Sequence, residues 1–593
     1  MAITSFGKQP SRATLGSSLL ISTILCALCM SSAQAFITVG PVADTACQYH
    51  DIAAAVQAAG QVSGPELIAI SGGPWTGQTT ITDHDPDGLT IEGGFANCSA
   101  GVSTGRTTVD GQGAVPAGPL FVHSGNGSLT LLHLIVQNAN GSGVEAIVAG
   151  PLTLSDVLVY SNHTSYGGGL FVSGNSIFRQ KVTLIGTSIN SNTATVNGAG
   201  IYASDTDFAI SGGSNIVGNI AQGPGDTSDG GGIYAIDSNI LVNDHSISFN
   251  AFIGNNYAQR NGGGVYYAVA SPGSYEVLLW NDRASQPLLV ADNTALNNGG
   301  AFYFSTVGSN QQILSFGGFE NTNFQRNTAY GGAVIYAFSS GSGTYNVSTS
   351  IQLAQSSPGS LIPPCATGLV CNAIDDNHAV GGSIIDLEPA GSTGSVSFAL
   401  ARGRMRGNRA DSLIGGDAYM NIDSSLFASN EVGEVAFNIS NDLHIGNSTF
   451  ANNTVTGNQM FTVILPPASL EIRHSLFVQP PGNALPHAYS VGTSVPVTVR
   501  DIGTQNVFFD SGTNVQNLSD PFVNAATSDF HILLTSSAVD RWGSANDPND
   551  PPPNVDLDGA LRPHIKNSPP TPYDFGAYEA GAVVDVIFAN GFN

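Results

Sequence analysis

Glycine punctuation at near-constant intervals constrains this chain more than any other feature. It falls at Gly167-Gly168-Gly169, Gly198-Ala199-Gly200, Gly230-Gly231-Gly232, Gly262-Gly263-Gly264, Gly299-Gly300, Gly331-Gly332, Gly381-Gly382 and Gly415-Gly416. The starting positions step by 31, 32, 32, 37, 32, 50 and 34 residues. Most are followed by a short apolar or aromatic stretch, such as Leu170-Phe171-Val172, Ile201-Tyr202, Ile233-Tyr234 or Val265-Tyr266-Tyr267. A unit this short cannot enclose a core of its own, so it must stack on its neighbours.

A second mark precedes the glycines: Asn162-His163-Thr164, Asn192-Thr193-Ala194, Asn293-Thr294-Ala295, Asn327-Thr328-Ala329 and Asn377-His378-Ala379. Further on the unit shortens to Ser425-Leu426-Phe427-Ala428-Ser429-Asn430, Ser448-Thr449-Phe450-Ala451-Asn452-Asn453 and Ser475-Leu476-Phe477. Strands rich in β-branched and aromatic residues alternate here with glycine and asparagine, which reach positive φ at least cost. Asparagines at equivalent positions can bond to one another as a ladder. No sustained 3.6-residue apolar period supports a helical solenoid. The expected fold is all-β, a right-handed parallel β-helix with a short N-terminal capping helix. About 480 residues at ~27 per coil give about 18 coils and, at ~4.8 Å per strand, a rod of roughly 85 Å. Its open ends require caps.

Residues 1–35 read as a signal peptide: Lys8 and Arg12, an apolar run from Leu15 to Met30, then Ala33-Gln34-Ala35. Phe36 is the expected mature start. No other stretch reaches membrane-spanning length. With 17 Lys and Arg against 43 Asp and Glu, the chain carries a formal charge of −26. Such a surface excludes nucleic acid and anionic lipid as partners. Beyond the signal stand Cys47, Cys98, Cys365 and Cys371. In an exported chain they suggest disulfides, with Cys47–Cys98 and Cys365–Cys371 favoured by proximity. A zinc site is the weaker alternative, because neither pair has CxxC spacing.

Asp51 is placed as the N-cap of a helix that runs to a stop at Gly60. A strand at Glu66–Ile70 follows, then Gly-Leu-Thr-Ile-Glu-Gly-Gly-Phe at 88–95. This order resembles the opening of pectate-lyase-like β-helix proteins, and the glycine-rich middle resembles the repeats of polymorphic outer-membrane proteins. Near the C-terminus come Asp529-Phe530-His531-Ile532-Leu533, Ser537-Ala538-Val539-Asp540, Asp556-Leu557-Asp558-Gly559, Arg562-Pro563 and Asp574-Phe575-Gly576-Ala577-Tyr578-Glu579. This run resembles the choice-of-anchor Q module that ends many bacterial secreted β-helix proteins. The tail Asp585–Asn593 resembles an I-F-x-x-G-F ending found on exported gammaproteobacterial proteins, which implies a Gram-negative source. The expected organisation is therefore a signal peptide at 1–35, an N-terminal cap and first coils at 36–110, repeats at 111–515, a C-terminal cap of choice-of-anchor Q type at 516–580, and a tail at 581–593. Too few residues follow the repeats for the translocator barrel of polymorphic outer-membrane proteins.

No set of residues reads as catalytic, cofactor-binding or metal-binding. Asp375-Asp376 is the nearest carboxylate pair, and adjacent acids at a turn are usually surface groups. Arg402-Gly403-Arg404-Met405-Arg406 could cradle an acidic sugar but reads first as an exposed strand or loop. His163 and His378 occupy equivalent repeat positions, which suits turn filling. Asp83-His84-Asp85-Pro86-Asp87-Gly88 has half of a calcium-loop pattern, but Gly94 stands where the closing glutamate belongs and Glu92 is two residues early. Structural calcium there, or at Asp556 and Asp558, is the one cofactor considered. The glycine runs lack the lysine of a phosphate loop. The expectation is a secreted or cell-surface monomer without catalysis, making adhesive contact with extracellular polysaccharide or a surface protein. The alternative is a lyase or glycoside hydrolase acting on acidic polysaccharides in a β-helix groove.

Overall fold

The computed structural model describes residues 35–61, 64, 66–81, 88–112, 118–243, 252–308, 313–341, 347–354, 372–390, 394–464, 468–539, 541, 556–558, 562 and 573–580, apart from 281–286. The chain is a right-handed parallel β-helix. One coil shows the construction. Strands Gln180–Ile185, Ser188–Asn190, Thr193–Asn197 and Ile201–Ser204 form four faces. They are separated by four residues in the left-handed region: Gly186 at φ 56°, Ser191 at 52°, Gly198 at 65° and Asp205 at 47°. Each strand pairs in parallel with its counterpart one coil earlier and later. Among the described residues, fourteen strands stack on the fourth face and ten on the third. That is fewer than the about 18 coils expected, because insertions between faces lengthen the middle units. Strands of eight residues, such as Gly273–Trp280 and Ile313–Glu320, extend the first face there.

The second bend carries the asparagine ladder, and it is longer than the motif reading indicates. Asn162, Asn192, Asn219, Asn256, Asn293, Asn327, Asn377, Asn408, Asn430 and Asn453 occupy successive rungs and are almost fully buried. In the middle of the stack, Asn219 Nδ2 donates to Asn256 Oδ1 at 3.0 Å and to the carbonyl of Ile189 at 3.0 Å. Its Oδ1 in turn accepts from the backbone and side chain of Asn192. Every polar atom of the amide is thereby bonded in a fully buried site. The residue before each ladder asparagine, from Ser161 to Asn452, has positive φ. Serines form a second ladder at the first bend, where the backbone of Ser425 donates to Ser448 Oγ and that of Ser448 to Ser475 Oγ, both at 3.2 Å. The serine–phenylalanine–asparagine unit is therefore one whole face with its two bends.

The glycines open the third bend in six coils. Gly415-Gly416 departs from that pattern: both lie inside the fourth-face strand Ser412–Gly416. This late unit passes from Arg409–Ala410 to Ser412 with one intervening residue, which leaves no room for a glycine turn.

One continuous core runs from Ile37 to Phe509. Phe427, Phe450 and Phe477 stack inside it at 4.6 and 4.9 Å between centroids. The helix Ile52–Ala59 buries Ile52, Ala55, Val56 and Ala59 against the first coils, and Asp51 accepts from the Ala54 amide at 2.8 Å, as expected. Gly60 ends the helix with φ −66° rather than in the left-handed conformation. Cys47 and Cys98 are disulfide-bonded, joining strand-adjacent turns beside the helix. Cys365, Cys371 and the acids of the 83–87 run lie outside the described residues.

The segment expected as a C-terminal cap lies along the flank. Leu518, Phe522, Phe530, Ile532, Leu557, Phe575, Ala577 and Tyr578 form a second core with Leu426, Ala428, Ala451, Leu476 and Val478, which point outward from the second face. Thr513–Asn517, paired to Val497–Gln505, is the last rung of the helix itself. No described helix is long and apolar enough to cross a membrane.

Candidate functional site

Outward side chains of a parallel solenoid line up in rows, because in-register pairing places equivalent residues one strand spacing apart. The most regular row is on the fourth face. Phe171, Tyr202, Tyr234, Tyr266, Tyr303 and Tyr336 follow one another in register. Their centroids are 4.8 to 5.2 Å apart, with planes within 9° of parallel. The left-handed glycine opening each turn makes room for this row: a β-carbon on Gly230 would stand 2.8 Å from Tyr234 Cα. Inner rings spend both faces on neighbours, so the row offers edges and hydroxyls to solvent. Only the outermost rings, Phe171 and Tyr336, are stacked on one side alone.

The row ends on acids. Glu145 precedes Phe171 in register and Asp386 follows Tyr336. Burial raises the Glu145 carboxyl above its ordinary range. Asp386 is pushed up to about 7 by burial and by the neighbouring Glu388 carboxyl, with which it shares a hydrogen bond. Beside the row, buried Asp229 is ion-paired with Arg260. Burial, with the nearby Tyr202 and Asp229, lifts the Tyr234 phenol to about 12.

Two other constellations contain residues of catalytic type. On the first face, His444 Nδ1 lies 3.1 Å from Glu471 Oε2, Arg473 pairs with the same oxygen at 2.5 Å, and the Tyr419 ring lies 5.5 Å from that of His444. Near the N-terminal end, a depression of ≈ 600 Å³ is lined by Ser103, Arg106, His133 and Asp156. Ser103 Oγ and Glu92 Oε1 both lie 3.1 Å from the same ring nitrogen, His133 Nδ1. Ser103 Oγ also donates to the Gly93 carbonyl at 2.7 Å. A nucleophilic triad needs serine and acid on opposite nitrogens; here Asp156 Oδ2 stands 3.8 Å from His133 Nε2, beyond hydrogen-bond reach, and is ion-paired with Arg106.

The sequence candidates scatter. Asp375 and Asp376 do not act as a pair. Asp375 ends strand Ala373–Asp375, is 5% exposed and is ion-paired with Arg404, whereas Asp376 is the left-handed residue before Asn377. The expectation of an exposed arginine run fails at Arg402, which is buried and donates to the Asp556 carbonyl at 3.1 Å. His163 and His378 both sit on the third face, as repeat equivalents should. His163 Nδ1 meets Thr193 Oγ1 at 2.6 Å, and His378 lies between Thr328 and Arg409.

Asp556 is 2% exposed and accepts from the Glu579 amide at 3.0 Å. Asp558 and Asp529 hold His531 from both ring nitrogens at 2.6 Å, with the ring 4.4 Å from that of Tyr578. Glu145, His444, Glu471 and the tyrosine row as a surface were not singled out by sequence, although the recurring Tyr four residues after the left-handed turn glycine was the available signal. No family model matches the chain, and no curated protein matches it.

Proposed function

We propose that this chain is an exported β-helix rod that acts without catalysis, making contact with glycan or a surface protein through its fourth face. The aromatic row carries this reading. It sets phenolic edges at a repeat close to one pyranose unit along a rigid support, which preorganises a long shallow contact. A net charge of −26 favours neutral or cationic partners over polyuronides. Export is supported by the signal-like start and by the Cys47–Cys98 bond, which belongs to oxidising compartments. Membership of the pectate-lyase-like group with a choice-of-anchor Q ending is part of the same reading. It is supported by the way the motif residues interlock: Arg562 donates to the Gly576 carbonyl at 2.7 Å, and the Ala580 amide to Asp574 at 2.5 Å. Binding to a panel of immobilised polysaccharides, lost in Tyr234→Ala, tests the proposal; release of unsaturated or reducing sugars by the purified protein would sink it.

A polysaccharide-cleaving enzyme is the second reading, favoured by the Tyr419–His444–Glu471–Arg473 cluster. An acid, an imidazole, a phenol and a guanidinium on one sheet face are the groups a lyase or hydrolase needs. Loss of sugar release in Glu471→Gln would establish it.

A further inference from the structure

The aromatic row begins at a depression of ≈ 380 Å³ lined by Phe171, Tyr166, Glu145, Asn140, Gly141 and Gly118, among others. Phe171 stacks on Tyr202 at 5.0 Å on one side only, so its other face borders the depression. Tyr166 stands beside it, 41% exposed and edge-on to Tyr202 at 5.5 Å. The floor is backbone, since a β-carbon on Gly141 would collide with Gly118. Glu145 enters from the preceding coil, burial raises its carboxyl above the ordinary range, and among the described residues it is in no ion pair with a Lys or Arg.

We infer that this depression is a subsite for the terminal pyranose unit of a neutral glycan, an inference that rests on the glycan reading of the fourth face. An aromatic face bears partial negative charge and suits the weakly positive C–H face of a sugar ring. The Glu145 carboxyl and the Asn140 amide supply acceptor and donor for ring hydroxyls. A carboxyl without a cation partner rejects a uronate, whose own charge would stand unpaired beside it. A chain lying along the tyrosine edges reaches the end of the row here, and Phe171 offers the ring face that the inner tyrosines do not.

The test uses the full exported chain and calorimetric titration with neutral gluco-, manno- and N-acetylglucosamine trisaccharides and the matching polymers. Tyr166→Ala and Glu145→Gln alter the subsite at half-exposed positions, and Tyr234→Ala alters the middle of the row. The expected result is trisaccharide binding weakened about tenfold in Tyr166→Ala and measurably in Glu145→Gln, with Tyr234→Ala weakening polymer binding alone. Trisaccharide binding unchanged in both subsite variants and lost in Tyr234→Ala would overturn the subsite and leave the glycan reading standing. A wild-type protein that binds no trisaccharide and no polymer overturns both.

Discussion

A β-carbon placed on Gly200 would stand 2.9 Å from Nδ2 of Asn219, and the same 2.9 Å separates Gly169 from Asn192 and Gly143 from Asn162. The two marks that recur along this sequence are therefore one device. The last glycine of each turn is small because the ladder amide of the next coil lies against it. That amide must be there because it satisfies the backbone at the opposite bend.

Replacing Asn219 by alanine removes the acceptor for two Asn192 donors and one donor to Ile189. At ~1–3 kcal/mol for a buried group left unsatisfied, the loss should exceed about 3 kcal/mol in chemical denaturation, where unfolding is reversible. Gly200→Ala should destabilise for steric reasons, because its β-carbon would press on the Asn219 amide. A midpoint no lower than that of Lys181→Ala, at an exposed position, would contradict this account of the ladder.

Cys47 and Cys98 close a loop of sequence separation 51. Replacing both with serine should destabilise the N-terminal coils by ~2–4 kcal/mol, read as earlier proteolysis there. Non-reducing peptide mapping should recover the Cys47–Cys98 link, and the same map reports whether Cys365 and Cys371 are joined.

His531 titrates at about 9, raised first by its hydrogen bond to Asp558 and then by Asp529. Its folded value exceeds the ordinary 6.5, so its contribution is fully present below about 6.5 and disappears as pH rises through 9. The pair is half exposed, which limits the effect to ~1 kcal/mol. NMR titration should give a midpoint near 9, and His531→Gln should flatten the stability profile between pH 7 and 9. A midpoint near 6.5 would exclude the double clamp.

Asp386 runs in the same sense, over a lower pH range. Its folded value of about 7 lies above the ordinary 3.8, so stability is greatest in acid and falls as pH rises from about 4 through 7. Asp386→Asn should raise the melting temperature at pH 8 and leave it nearly unchanged at pH 4. Equal shifts at both pH values would show that ionisation at this end of the row carries no penalty.

The architecture was legible because it is local. Left-handed bends, apolar alternation and the asparagines are each visible within a few residues. Asn219, Asn256 and Asn408 escaped the motif only because the residues after them, Ile220-Ala221, Tyr257-Ala258 and Arg409-Ala410, depart from the commonest pattern. The outer surface was not legible in the same way. His444 and Glu471, or Asp375 and Arg404, meet across coils whose lengths vary. The ladder asparagines are separated by anything from 22 to 50 residues, so no fixed period identifies the neighbour.

By itself the sequence determined the stacked β-coil, its asparagine ladder and the helical cap, since each follows from residue type at short range, and it favoured the Cys47–Cys98 pairing that the structure contains. Only the tertiary structure decided which outward side chains share a row, that Arg402 is covered, and that the C-terminal segment lies on the flank of the second face. The physical reason is register: parallel pairing aligns rungs by backbone hydrogen bonds and core packing, and the surface rows take whatever residues that alignment brings together.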